Sequence, residues 1–325
     1  MDKGLGIEIA RRLEASENIM IACHIRPDGD AIGSLLGLGL SLQAAGKGVQ
    51  MISVDGVPVN YRFLAGSDQI TTYPTGAFDM AITVDCSDLR RVGNALDGYP
   101  IPDLNIDHHI TNENFARINW IDTQATATAE ILVKLIQELA LPIDQKVAAA
   151  LLTGIVTDTL GFRTANVSPA VLRTAAELME FDLSLTDIYQ KALKQRSFEA
   201  IRFWATGLGR IERQNGIVWT SLTLADRKAV GYPGRDDADL INVLSAITDS
   251  EIALIFVEQP NDLIKVSWRA RPGLDVTPVA KSFGGGGHPA AAGAQVNGEL
   301  EAVIARVLQA TRALIENHAI EMVAG

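Results

Sequence analysis

Cysteine is almost missing. The 325 residues include only Cys23 and Cys86, too few for a multi-disulfide scaffold or a four-thiolate zinc site. Positive charge is also short: 28 Lys and Arg stand against 39 Asp and Glu, a formal net charge of -11. Such a surface repels polyanions, which argues against long duplex nucleic acid as a partner and requires a local positive site for any nucleotide substrate. No apolar run reaches the roughly 18 uninterrupted residues of a membrane helix, and the opening MDKGLGIEIARRLEASENI has no basic stretch followed by an apolar core. The expectation is a cytoplasmic protein without a membrane partner, where a reducing environment suits both thiols. Internal repeats and long low-complexity tracts are absent too. What remains is 47% hydrophobic and 21% charged, enough to bury a sizeable core over about two domains.

The first half alternates short apolar runs with helical patterns, the signature of parallel strands joined by crossover helices. Strands are expected over residues 18–23, 48–54, 79–84 and 103–106. Between the first two lies DAIGSLLGLGLSLQAAGK, a helix opening at Asp30 and stopping at Gly46. Further helices are expected over 125–139, 144–157 and 168–180. Residues 184–208 read as helical and carry Lys191, Lys194, Arg196 and Arg202, a solvated basic face or an RNA-facing hinge surface. After Gly209 the pattern changes to short strands, over 216–222, 252–257 and 263–268, then a glycine-rich turn and a last helix over 299–316. The chain is therefore read as α/β. A domain with a mainly parallel sheet flanked by helices occupies 1–190, a helical linker 191–214, and a smaller mixed α/β domain 215–325.

Chemistry gathers where apolar runs end. The first strand runs into His24-Ile-Arg-Pro-Asp28-Gly-Asp30, the third into Val84-Asp85-Cys86, and the fourth into Ile106-Asp107-His108-His109. Parallel strands deliver such residues to the carboxyl edge of the sheet, where sites of this architecture lie. The apolar segment LLTGIVTDTLGF holds one acid, Asp158, costly to bury without a partner or a metal. Each signal is weak alone; four such clusters in one domain form a candidate ligand set of His24, Asp28, Asp30, Asp85, His108 and Asp158. Imidazole and carboxylate without thiolate suit Mn2+ or a similar ion better than structural zinc. Two such ions sharing a carboxylate generate hydroxide at neutral pH and stabilise charge on phosphoryl oxygens. Cys23 and Cys86 flank ligand candidates, but alternation along a strand turns them to the opposite face, where each is a small buried hydrophobe.

In the second half, Ser267-Trp-Arg269-Ala-Arg271 precedes Phe283-Gly-Gly-Gly-Gly-His288-Pro-Ala-Ala-Ala-Gly293. The glycines are either a flexible linker or, with a small-residue helix expected to follow His288, an anion cradle whose backbone N–H groups face a phosphate.

Together these motifs resemble the DHH phosphoesterase family, named for Asp107-His108-His109, in particular members with a C-terminal DHHA1 domain. The resemblance covers nearly the whole chain, through the His24 to Asp30 motif, Val84-Asp85, the triplet, Gly-Ile-Val-Thr-Asp158-Thr and GGGGH, in that order. It is strongest to the nanoRNase and pAp-phosphatase branch, which degrades very short oligoribonucleotides and dephosphorylates 3'-phosphoadenosine 5'-phosphate (pAp). The resemblance implies an N-terminal DHH domain and a DHHA1 domain that binds substrate. It implies two divalent ions, Mn2+ first with Mg2+ and Co2+ as alternatives. One is held by His24 and Asp28, the other by Asp30, His108 and Asp158, with Asp85 between them. It also implies that His109 contacts the scissile phosphate or leaving group, that Asp107 orients its neighbours, and that Arg269 and His288 bind substrate. Gly285, Gly286, Gly287, Arg271 and Arg163 are further substrate-binding candidates. Arg26 stands where relatives often carry Asn or another polar residue, and substrate and solvent are both open as what it faces. Short single-stranded RNA or a small nucleotide is the expected partner, and a homodimer the expected assembly. A soluble phosphodiesterase acting on cyclic di-AMP or pApA is the alternative enzyme, and a non-catalytic nucleotide sensor the alternative from another class.

Overall fold

The first unit, residues 1–195, opens with helix α1 (Lys3–Ala15) and is built around strand β1 (Asn18–Ala22). In the computed structural model, residues 3–99 and 101–324 are described. The last four residues of β1 are fully buried, because the strand sits mid-sheet and is covered on both faces, which a continuous apolar run requires. Helix α2 (Gly29–Ala44) leads to β2 (Gly48–Ile52), and the chain then crosses to the other side of β1 as β3 (Met80–Val84), β4 (Leu104–Asp107) and β5 (Ile118–Ile121). The sheet is wholly parallel in the order β2-β1-β3-β4-β5. The direction in which strands are added reverses between β1 and β3, and the carboxyl edge there is where open α/β sheets form their crevices. The fifth strand is not foreseen from sequence: INWI is four residues long with only Ile118 and Trp120 buried, too short for its alternation to stand out.

Helices α3 (Thr128–Glu138), α4 (Gln145–Asp158), α5 (Pro169–Met179) and α6 (Leu185–Tyr189) complete the unit. Asp144 caps α4 by accepting from Lys146 N and Val147 N, and Ser168 caps α5 ahead of Pro169 at its first turn. Helix α2 is buried almost all round, and glycines let α4 lie close against it. A Cβ at Gly33 would meet the Ala150 carbonyl oxygen at 2.5 Å, and one at Gly37 the Leu151 side chain at 2.4 Å. The pairings Gly29 with Thr157, Gly33 with Ala150 and Gly154, and Gly37 with Leu151 run antiparallel. The end of α4 therefore lands beside the start of α2.

The second unit, residues 196–325, begins with α7 (Phe198–Leu208), then β6 (Glu212–Gln214), β7 (Ile217–Leu222), α8 (Leu224–Val230) and α9 (Leu240–Leu244). After β8 (Ile252–Gln259) and β9 (Leu263–Ala270) come α10 (Thr277–Ser282), β10 (Gly286–His288), β11 (Ala291–Asn297) and α11 (Leu300–Ala324). Its sheet, ordered β10-β11-β9-β8-β7-β6, is antiparallel except between β7 and β8. Strand alternation divides the core. Ile252, Leu254 and Phe256 pack with Val303 and Val307 of α11, while Ala253, Ile255 and Val257 pack with Phe203 of α7 and Leu240 of α9.

Two local expectations need correction. The helical run over 184–208 is broken: α6 passes into a π-turn over Gln190–Lys194, and Ser197 starts α7 afresh by accepting from Ala200 N. Three of its four basic residues are engaged within the chain, Lys191 over the Phe63 ring, Lys194 over Tyr189 and Arg196 with Asp239, while Arg202 is exposed. The glycine run is neither a linker nor a helix start. It forms the hairpin of β10 and β11, turned by Pro289 and Ala290. A Cβ at Gly285 would lie 2.1 Å from the Gly293 carbonyl oxygen, and Gly287 has φ +143° with no room before the Ala291 oxygen at 2.5 Å. Close backbone approach, open only to glycine, accounts for these two positions.

Candidate metal centre

Each residue of the centre arrives from the carboxyl edge of the first sheet or from a helix end beside it. His24 follows β1, Asp85 follows β3 and Asp107 closes β4. Asp28 caps α2, its Oδ1 accepting from Asp30 N and Ala31 N at 3.0 Å each, while Oδ2 lies 3.8 Å from His24 Nε2. Asp30 opens α2 and Asp158 ends α4, brought together by the glycine-lined helix contact. Asp85 sits at φ +55°, a conformation that costs free energy in a non-glycine residue and is held here by Asp85 N donating to the Ile106 oxygen at 2.9 Å.

The side chains form two clusters that share one carboxylate. His24, Asp28 and Asp85 make one, and Asp30, His108 and Asp158 another, with the donor atoms of each cluster within 4.8 Å of one another. Asp85 faces both ways: Oδ2 is 3.4 Å from His24 Nε2, and Oδ1 is 3.8 Å from His108 Nε2. His108 Nε2 also lies 3.4 Å from Asp158 Oδ2 and 4.0 Å from Asp30 Oδ2. Both rings are oriented through their other nitrogen. His24 Nδ1 donates to the Ile25 oxygen at 2.8 Å, and His108 Nδ1 points at the Ala125 oxygen at 3.4 Å, which leaves Nε2 for a metal.

Electrostatics agree with a cation site. Burial works against a charged His24 ring, but hydrogen bonding to Asp28 and Asp85 outweighs it and raises the pKa to about 10. Burial also opposes ionisation of Asp85, yet the surrounding histidines, His24 foremost, hold it well below the carboxylate range. Asp30 is pushed up to about 7 by burial and the Asp85 charge, and Asp158 is raised by burial and by the neighbouring carboxylates. Four carboxylates crowd together here, Asp30 and Asp85 buried, Asp158 half-buried and Asp28 at the exposed rim, and they are poorly compensated by protein alone. Divalent ions supply the missing charge, and imidazole with carboxylate oxygen is a fitting donor set.

His109 plays a different geometric part. It also falls in a group with Asp85 and His108, but its Nδ1 donates to Asp107 Oδ1 at 2.7 Å. Asp107 is fully buried, and its other oxygen accepts from Asn112 Nδ2 at 2.6 Å. Neither thiol takes part. Burial raises Cys23 to about 12 and lifts Cys86 as well, so both stay protonated and packed.

Sequence reasoning did not single out Asn112, Thr128 or Ser34. Thr128 N donates to Asp30 Oδ2 at 2.6 Å, and its hydroxyl to Asp85 Oδ1 at 3.1 Å; Ser34 Oγ donates to Asp30 Oδ1 at 3.2 Å. The one available signal was hydroxyl residues at the start of a buried helix. Arg26 and Arg163 are exposed in the first unit, Arg26 at φ +54° with its N–H on Asp55 Oδ2 at 2.6 Å.

In the second unit Arg269, Ala291 and His288 are neighbours across three strands, so their side chains leave the same face of the sheet. The next row on that face is Ser267, Gly293 and Gly286, and a Cβ at Gly286 would meet nothing within 4 Å. Ala291 thus lies between Arg269 and His288, and a floor of small residues lies beside them. Arg269 is half-buried and donates to the Trp268 oxygen at 3.0 Å. Arg271 is spent on the carbonyl oxygens of Ile247 and Thr248.

Comparison with known proteins gives a consistent placement. Residues 18–155 match the DHH family, N-terminal domain, and residues 230–317 match the DHHA1 domain. The bifunctional oligoribonuclease and PAP phosphatase NrnA of Thermus thermophilus is 34% identical over 310 residues, spanning 94% of this chain and 92% of that protein. The Bacillus subtilis protein of the same name is 25% identical over 306 residues, spanning 89% and 92%. The crystal structure of an exopolyphosphatase-related protein from Bacteroides fragilis superimposes with a TM-score of 0.89 at 25% identity, covering 98% of this chain and 97% of that one.

Proposed function

The chain belongs to the DHH family and carries a DHHA1 domain, and from that premise we propose that it is a two-metal phosphoesterase that hydrolyses very short oligoribonucleotides and removes a phosphate from pAp. The observation that carries this reading is the Asp85 carboxylate, one oxygen toward His24 and the other toward His108, between two clusters each able to hold a cation. His24, Asp28 and Asp85 would hold one ion and Asp30, His108, Asp158 and Asp85 the other. Such a pair supplies hydroxide at neutral pH and neutralises charge on the phosphoryl oxygens. Mn2+ is the proposed ion, since carboxylate with imidazole suits it.

The protein's own groups do the remaining work. His109, its Nδ1 held by Asp107, presents Nε2 to hold a proton for the leaving oxygen. Asp107 stabilises the doubly protonated ring that carries this proton, and Asn112 fixes Asp107. Arg269 and His288 bind substrate from the second unit, with Gly285, Gly286 and Gly287 as their backbone surroundings; Arg163 and Arg271 are secondary. The bare floor at Gly286 and Gly293 suits a flat base or ribose beside the two side chains. The proposed setting is the cytoplasm, with a homodimer as the working assembly.

A product time course with purified protein, Mn2+, pAp, pApA, cyclic di-AMP and RNA of two to ten nucleotides tests this. Fastest turnover of pAp and of the two- to four-nucleotide RNAs, ending in mononucleotides, is expected. Preference for cyclic di-AMP would move the protein to the alternative branch, and turnover of none would remove the enzymatic reading.

A further inference from the structure

Helix α3 begins on Ala127, whose side chain cannot cap it. The cap comes instead from far along the chain. Asp30 Oδ2 accepts from Thr128 N at 2.6 Å and Oδ1 from Ala129 N at 3.0 Å, so a proposed metal ligand closes the amino end of α3 and gains from its dipole. From the same residue, the Thr128 hydroxyl reaches Asp85 Oδ1 at 3.1 Å. That oxygen is the one turned toward His108. Thr128 is fully buried, so its hydroxyl is shielded from bulk solvent. The turn before it is itself held: the buried Glu130 accepts from Thr126 N and Thr126 Oγ1, both at 2.9 Å on Oε2.

We propose that Thr128 is a positioning residue that couples the two metal clusters, its backbone fixing Asp30 of one and its hydroxyl fixing the shared Asp85. This rests on the two-metal reading above. The hydroxyl sets the rotation of the Asp85 carboxylate, so that each oxygen faces its own cluster. Without it the carboxylate is free to turn toward one cluster at the other's expense, since rings at 3.4 Å and 3.8 Å compete for it. The backbone bond to Asp30 survives any side-chain change, which confines the effect to the hydroxyl.

Thr128→Ser and Thr128→Ala differ from each other only by that hydroxyl, and both lose the γ-methyl, so packing is controlled between them. Metal-stripped full-length wild type and both variants are titrated with Mn2+ by calorimetry, with melting of the metal-free proteins in parallel. The expected result is two ions bound by wild type and by Thr128→Ser with affinities within about threefold. In Thr128→Ala at least one ion should bind about ten- to a hundredfold more weakly, the range for loss of a group that orients a ligand, while its metal-free melting temperature matches Thr128→Ser. Equal affinities in the Ala and Ser variants would overturn the inference and leave the two-metal reading standing. Fewer than two ions in wild type would overturn both. Should Thr128→Ala fail to fold, Thr128→Val is compared with wild type in the same titration, and wild-type affinity in that variant would overturn the inference.

Discussion

His108 and His109 are adjacent, with ring centroids 4.6 Å apart, yet their nitrogens face different work. His108 turns Nε2 into the Asp30, Asp85 and Asp158 cluster, and His109 spends Nδ1 on Asp107. His108→Ala is therefore expected to lower both metal content and turnover. His109→Ala should lower turnover by about a hundredfold or more while bound metal stays near wild type, the range for loss of a positioned acid or base. Elemental analysis beside kinetics on pAp decides it, and equal metal loss in the two variants would contradict the division. At this scale the gathering of His24, Asp28, Asp30, Asp85, His108 and Asp158 is legible in sequence, because they cluster where apolar runs end or are interrupted, where a charged residue needs a reason. Asn112 and Thr128 are not legible. Short polar residues in turns and at helix starts are commonplace, and only three-dimensional proximity shows that one holds Asp107 and the other Asp85.

Among the elements, the α2 and α4 contact matters most to the site, since it places Asp30 and Asp158 at neighbouring helix ends. A methyl at Gly33 has no room, with the Ala150 oxygen at 2.5 Å and Gly154 N at 2.8 Å. Gly33→Ala should destabilise the first unit by about 1–3 kcal/mol through overpacking and also weaken Mn2+ binding, because pushing the helices apart separates the two carboxylates. Denaturation and metal titration of the same sample test both halves; lost stability with unchanged affinity would show that the contact does not set the site. In the second unit, Thr223 and Asp226 form a capping box on α8, and Arg210 grips both Asp226 oxygens at 2.5 and 2.6 Å. Arg210 foremost holds the Asp226 pKa down to about 2, against about 3.9 for an unfolded Asp. The stabilisation is thus complete above about pH 4 and is lost as pH falls through 2. Asp226→Asn is expected to cost about 1–2 kcal/mol at pH 7, the half-exposed Arg210 trimming the upper end, and much less at pH 2. A difference that does not shrink in acid would count against the pair. Four of the five first-unit strands are legible as short runs rich in apolar residues, β5 being too short to stand out; the GGGGH hairpin is not, because alanine and glycine carry no periodic signal that separates a strand from a turn or helix.

For the whole molecule, a net charge of -11 means that an anionic substrate is taken up at particular cations and not by the surface at large. Arg269→Ala and His288→Ala should each lower kcat/KM on pAp and on a trinucleotide by about ten- to a hundredfold, as expected for a lost hydrogen bond to a charged group. Bis-p-nitrophenyl phosphate, which needs only the metal centre, should be hardly affected, and metal content should be unchanged. A uniform loss on all three substrates, or none, would contradict substrate capture by the second unit. The most direct test of the account is the dependence of pAp turnover on Mn2+ bound to metal-stripped wild type, with Asp85→Ala alongside. The account predicts negligible phosphate release with one equivalent bound, a steep rise as the second binds, and an Asp85→Ala protein that folds but neither holds both ions nor turns over. Full activity with a single ion, or an Asp85→Ala variant that keeps both ions and near wild-type turnover, would contradict a centre built on a shared Asp85.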